Sequence, residues 1–156
     1  METIYIETTV VSYLVANPSR DSILAAHQKL TRQSWQDERL RYQCLTSSEV
    51  LKEAGLGDVE MSRRRLEALS GLTVLAMDKS ARSLARELLV ARILPPAAAS
   101  DAIHVVVAAQ RRINILLTWT CRHLANPHLL GKLREFVGRY RLTLPEICTP
   151  IELMGG

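Results

Sequence analysis

No apolar run in this sequence approaches the roughly 20 residues a membrane span requires, and the N-terminus lacks the basic-then-apolar layout of a signal peptide. A cytoplasmic protein with no membrane association is therefore expected. Cysteine is scarce: Cys44, Cys121 and Cys148 are odd in number, widely spaced and in no C-x-x-C pair, which implies reduced thiols and excludes a disulfide framework. There is no G-x-x-x-x-G-K-[ST] loop, no G-x-S-x-G elbow, and no glycine in the first strand-to-helix turn to let a pyrophosphate approach, so nucleotide cradles are disfavoured. Zinc is disfavoured too, because Asn126-Pro127 interrupts the His123-x4-His128 pair near Cys121. Internal repeats, low-complexity tracts and linkers are absent, which leaves one domain over residues 1–156.

What is present is ordinary globular composition, 47% hydrophobic and 23% charged over 156 residues, enough for one full core. The formal charge is +4, the pI is near 9.2, and most of the basic residues are arginine. Guanidinium forks match phosphate geometry, so this balance permits a phosphate-rich partner. The two tight clusters, Arg63-Arg64-Arg65 and Arg111-Arg112, also suit a solvated helix face.

Ile4-Tyr5-Ile6 reads as a buried strand that stops at Glu7, with Thr8 and Thr9 as helix caps and Val10, Val11 and Leu14 at helical spacing. Glu7 thus sits at a strand-to-helix switch, where it serves either a site or the partly positive helix N-terminus. Asp21 or Ser22 caps a helix to about Glu38, whose apolar line (Ile23, Leu24, His27, Leu30, Ser34) with Ala25, Ala26 and Trp35 beside it exceeds one packing face.

Tyr42 to Thr46 is the second strand, and Ser47-Ser48 open a helix carrying Glu49 and Glu53 before Gly55 and Gly57 stop it. Thr46-x-x-Glu49 fits a capping box, whereas Glu53 has no such local task and is either solvated or a site residue. A helix over Asp58–Ser70, a strand over Leu72–Met77 and a helix from Asp78 to about Val90 follow.

Pro95-Pro96 excludes helix locally, and Ser100-Asp101 starts a strongly apolar helix that ends at Arg111-Arg112. Asp101 can be its N-cap, and His104 a packed, hydrogen-bonded core histidine. Ile113–Thr118 is the fourth strand, Asn126-Pro127 launches a helix to about Arg141, and Glu146–Thr149 is a last strand before a second capping box at Thr149 and Glu152.

Strands alternating with helices imply a single three-layer α/β/α domain around a five-stranded parallel sheet. Its functional crevice should lie at the carboxyl ends of the strands, near Glu7 and Thr118–Thr120, with Asp101 reaching it only if the preceding loop folds back. Two carboxylates about 4 Å apart repel by about 4 kcal/mol at an effective dielectric near 20. A proton or a hard divalent cation such as Mg²⁺ or Mn²⁺ offsets that repulsion.

Four stretches in this order resemble the PIN domain, and within it the VapC-like toxins of type II toxin–antitoxin pairs: Ile4 to Thr9, Ser47 to Glu53 with Gly57-Asp58, Ser100 to His104, and Leu116 to His123. The resemblance implies a PIN-like fold and a metal-dependent ribonuclease using Mg²⁺ or Mn²⁺. Glu7, Glu53 and Asp101 match the family's metal-binding acids, and Glu7 stands where aspartate is usual. Thr120 stands where a fourth acid often falls, and Glu49 matches no family acid. Arg122, His123 and Asn126 are candidates for contact with the nucleic-acid backbone. RNA as substrate, a small antitoxin protein as partner and a homodimer are what the resemblance implies. The alternative is a non-catalytic or degenerate PIN-fold module that binds nucleic acid or protein.

Overall fold

The computed structural model describes residues 1–155. Five short strands, β1 (Thr3–Ile6), β2 (Gln43–Ser47), β3 (Thr73–Leu75), β4 (Ile115–Leu117) and β5 (Glu146–Cys148), form one parallel sheet in the order β3-β2-β1-β4-β5. The chain's first strand is therefore its central one. Its residues pair with Cys44 and Leu45 on one side and with Ile115, Leu116 and Leu117 on the other. Burial on both faces selects the continuous apolar runs Ile4-Tyr5-Ile6 and Leu116-Leu117.

The helices are α1 (Thr8–Val15), α2 (Ser22–Asp37), α3 (Ser48–Ala54), α4 (Val59–Leu69), α5 (Lys79–Val90), α6 (Ala99–Gln110), α7 (Pro127–Gly138) and α8 (Pro150–Gly155). Strand order steps outward from β1 to β3 and then returns across β1 to β4, so right-handed crossovers place the intervening helices on opposite faces. The reversal falls between β1 and β4, and it opens a crevice at their carboxyl ends. Helix α6 is buried almost all round: Ala102 and His104 to Ala109 are all covered, as its unbroken apolar sequence requires.

Several local expectations are corrected. Strands three and four are shorter than their apolar runs, because only the middle residues find ladder partners. Pro96 starts a 3₁₀ turn over Pro96–Ala98 that leads into α6 at Ala99, one residue before Ser100; proline is tolerated there because a first-turn N–H has no partner to lose. Glu7, and neither Thr8 nor Thr9, caps α1.

The proposed Thr46–Glu49 box does not form. Ser47 caps α3 by accepting from the Val50 amide at 3.2 Å, Thr46 Oγ1 donates to the Ile6 carbonyl, and buried Glu49 accepts from Ser100 Oγ at 2.8 Å. Helix α2 packs through Gln28, Thr31 and Ser34, while Ile23 on the expected apolar line is 67% exposed.

Asp21 caps α2, Asn126 caps α7 ahead of Pro127, and Thr149 with Glu152 forms the reciprocal box, as their sequences indicate. Gly57 has φ +83°, a left-handed turn that suits glycine. The Arg63-Arg64-Arg65 cluster is used locally: Arg63 and Arg64 pair with Glu60, Arg63 also with Glu67, and Arg65 donates to the Ala54 and Leu56 carbonyls. The three cysteines are unpaired. Among the described residues no helix is long and apolar enough to cross a membrane.

Candidate functional site

Glu7 is 2% exposed at the end of β1, yet every nearby donor is a hydroxyl or an amide rather than a cation. Its Oε2 accepts from the Thr9 amide at 2.6 Å. Its Oε1 accepts from Thr9 Oγ1 at 2.8 Å, Thr118 Oγ1 at 2.8 Å and Thr120 Oγ1 at 3.3 Å. It thus caps α1, the helix-terminus reading, while standing at the carboxyl edge of β1 where a site would lie. Burial pushes its carboxyl above the ordinary glutamate range, against the opposing pull of the His104 ring and the Thr9 and Thr118 donors.

Glu53, in the last turn of α3, is half-buried and far from solvated. Its Oε1 accepts from Thr8 Oγ1 at 2.7 Å and faces His104 Nε2 at 2.7 Å. Burial pulls its pKa upward, but the His104 bond and charge and the Thr8 bond outweigh it, so the carboxyl lies below its usual range. Among the described residues no hydrogen bond reaches Oε2.

Asp101 is in the first turn of α6 rather than at its N-cap, which is Ala98. No folded-back loop is needed to bring it to the rim. A helix that feeds a parallel strand runs antiparallel to it and so begins at the strands' carboxyl edge. Asp101 Oδ2 pairs with His123 Nδ1 at 3.2 Å, in the segment that follows β4. Burial raises its pKa, His104 and His123 lower it, and the Glu53 charge raises it again.

Thr120 donates to Glu7 where the family pattern has an acid. A second carboxylate there would repel an ionised Glu7 inside a buried pocket; the hydroxyl instead donates to it. Of the remaining candidates, His123 is engaged with Asp101, and Asn126 caps α7 while donating to the Arg122 carbonyl.

Sequence reading missed three participants. His104 is a core residue, as its apolar helix suggests, but both its ring nitrogens meet polar atoms: Glu53 Oε1, and the Tyr5 hydroxyl at 2.6 Å. Tyr5 in turn shares a 2.6 Å hydrogen bond with Ser47 Oγ. Trp119, two residues after β4, is buried. Its ring lies between His27 (centroids 4.4 Å apart) and Tyr13 (5.5 Å), both within 17° of parallel, and its Nε1 donates to Thr31 Oγ1 at 2.8 Å. Alternation of apolar residues marks Tyr5 and Trp119 as core; their polar tips have partners 42 to 99 positions away in sequence, which no local pattern reveals.

The chemistry of this donor set suits a hard cation. It comprises three carboxylates with threonine hydroxyls and no thiolate, and Glu53 Oε2 and Asp101 Oδ1 make no hydrogen bond to the described residues. Among the described residues, however, no three His, Cys, Asp or Glu side chains converge on a common point in this conformation.

No protein-family model and no curated protein matches the sequence. Among solved structures, a chain in the crystal structure of VapBC2 from Rickettsia felis, bound to a DNA fragment from their promoter, superposes over 94% of this chain and 98% of its own. The TM-score is 0.58 and the identity 14%. The order of strands, the switch point between β1 and β4 and the carboxylates at its rim thus accompany an end-to-end match of backbone: the chain has the VapC-like PIN fold.

Proposed function

We propose that this protein is a metal-dependent ribonuclease that hydrolyses RNA phosphodiesters, acting as the toxin of a toxin–antitoxin pair. The observation that carries the reading is that Glu7, Glu53 and Asp101 all stand at the carboxyl edge of the sheet near the β1–β4 switch point, Glu53 and Asp101 each with one carboxylate oxygen that accepts no hydrogen bond from the described residues. Glu53, Asp101 and Glu7 would hold Mg²⁺ or Mn²⁺, Glu7 through Oε2, which carries a single hydrogen bond. When bound, the ion lowers the pKa of a water and offsets charge on the phosphate.

The chain's own part is positional. Thr8 and His104 orient Glu53, His123 orients Asp101, and Thr9, Thr118 and Thr120 hold Glu7 in place by donating to it. A charge of +4 supplies general attraction for RNA. A small antitoxin protein as partner is supported by the matched structure, a VapBC2 assembly, and by exposed apolar side chains on and before α4, among them Leu56, Val59 and Leu66. A homodimer and a cytoplasmic location complete the proposal.

The test is cleavage of RNA with Mn²⁺ present or chelated, together with growth on induction, for Asp101→Ala and Glu53→Ala. Loss of both metal-dependent cleavage and growth arrest in folded variants is expected. Unchanged toxicity in either would sink the reading.

A second reading, a PIN-fold module that binds without cutting, is favoured by one observation: Glu7 is fully satisfied by threonine and amide donors, with Thr120 in place of another acid. Calorimetry that detects no heat at millimolar Mn²⁺ would select it.

A further inference from the structure

We infer that His104 is a positioning residue for Glu53, and that Ser47, Tyr5 and His104 form a buried relay that fixes which oxygen of Glu53 the site receives. The inference rests on the proposed function above, because it concerns the use of Glu53 as a metal ligand. All three relay residues, Ser47, Tyr5 and His104, are completely buried. Placing an imidazole, a phenol and a hydroxyl inside an otherwise aliphatic core is costly unless each polar atom is paired, and here each is.

The pairing has a direction. An ionised carboxylate only accepts hydrogen bonds, so His104 Nε2 carries the proton and donates to Glu53 Oε1. Ser47 Oγ already accepts from the Val50 amide. With the ring neutral the order runs Ser47 to Tyr5 to His104 to Glu53; with the ring protonated Nδ1 donates to Tyr5 and Tyr5 to Ser47, and in both states every donor has an acceptor and Nε2 donates to Glu53 Oε1. Packing alone explains none of this, since leucine or methionine would fill the space on α6.

The relay also closes on itself. It leaves α3 at its N-cap, Ser47, crosses β1 at Tyr5 and α6 at His104, and returns to α3 at Glu53, in the helix's last turn. Both ends of a seven-residue helix are thus tied through the core. With Thr8 as a second donor, Oε1 is held from two sides, and Oε2 is the oxygen left over.

Outer hydrogen-bond partners of metal ligands change metal affinity or activity by about 10–100-fold when removed. His104→Ala should therefore weaken Mn²⁺ binding to the whole protein, measured by calorimetry, by about that factor. It should lower kcat for RNA cleavage with little change in KM. His104→Gln, whose side-chain amide can donate to Oε1, should recover most of both losses. Tyr5→Phe, which keeps the ring and removes only the hydroxyl, should fall between wild type and His104→Ala.

In the metal-free wild type, nitrogen NMR should show a proton on Nε2. A neutral ring protonated at Nδ1 would overturn the inference, as would a folded His104→Ala with wild-type Mn²⁺ affinity, or a His104→Gln no better than the alanine. If alanine does not fold, glutamine and phenylalanine decide the matter by the same criteria. Wild type that binds no Mn²⁺ would fell the functional reading and this inference with it; wild type that binds while the relay variants bind equally would fell this inference alone.

Discussion

Thr118→Val is the sharpest probe of how Glu7 is held. Valine keeps the shape of threonine and adds no cavity, so the perturbation is the loss of one hydroxyl that is fully buried and has no water to replace it. That hydroxyl donates to Glu7 Oε1 at 2.8 Å, and a hydrogen bond to a charged group contributes about 1.5–3 kcal/mol. It also accepts from the Thr120 amide at 2.9 Å, a bond at a partly exposed residue whose loss adds at most about 1 kcal/mol.

The expected loss is about 2–3 kcal/mol at pH 7, or a fall in Tm of about 4–12 °C for a domain of this size. The pH dependence has a definite sign. Burial already raises the Glu7 pKa, and losing a donor that pulled it down raises it further. A raised carboxyl pKa favours the folded state where the group is protonated and costs stability where it is ionised. The deficit should therefore not grow as pH falls, because protonating Glu7 removes the charge that the lost donor served. Urea unfolding in chelator, followed by circular dichroism at pH 7 and at pH 4.5, measures both quantities. A deficit under about 0.5 kcal/mol at pH 7, or one that grows on acidification, would refute the reasoning.

Thr120→Asp places a second carboxylate near Glu7, with a repulsion of about 4 kcal/mol at ~4 Å and an effective dielectric near 20. Thermal melts should show marked destabilisation in chelator and partial recovery in millimolar Mn²⁺. For the His104–Glu53 pair, the Glu53 contribution is present above its unfolded pKa near 4.5 and disappears as pH falls through its lowered folded value. The His104 contribution is full below 6.5 and disappears as pH rises through its raised folded value. A stability–pH curve for metal-free His104→Gln should thus lack the shoulder that wild type shows on both flanks. Ser100→Ala removes the hydroxyl that meets buried Glu49 and should cost about 1.5–3 kcal/mol in denaturant titration. Arg92→Gly relieves a side chain held at φ +58° at the end of α5 and should stabilise by roughly 1 kcal/mol.

The parallel sheet was legible because each strand is an apolar run bracketed by helix caps and turn residues, and Asp21, Asn126, Thr149 and Glu152 do locally what their sequence says. Errors arose where two neighbouring residues could do one job. Thr46 and Ser47 are both good caps, and tertiary structure chose Ser47 because Thr46 is engaged across the sheet with Ile6. Asp101 looks like a cap, and the turn after Pro95 moved the helix start ahead of it.

The acids themselves were visible as charges breaking apolar patterns. Their partners were not: Thr118 lies 111 positions from Glu7, and Tyr5 lies 99 from His104. Only the fold brings such pairs together, and hydrophobic periodicity is silent about which polar atoms meet inside a core.

The central place of β1 has a consequence for timing. Ribosomes deliver about 5–20 residues per second, so Glu7 emerges roughly 6–20 s before Thr118. Through that interval one edge of the first strand has no β4 to pair with, and Glu7 lacks the threonines from the far end of the chain that hold it buried. The crevice is thus among the last parts of the molecule to be assembled during synthesis, after nearly every other element has left the ribosome.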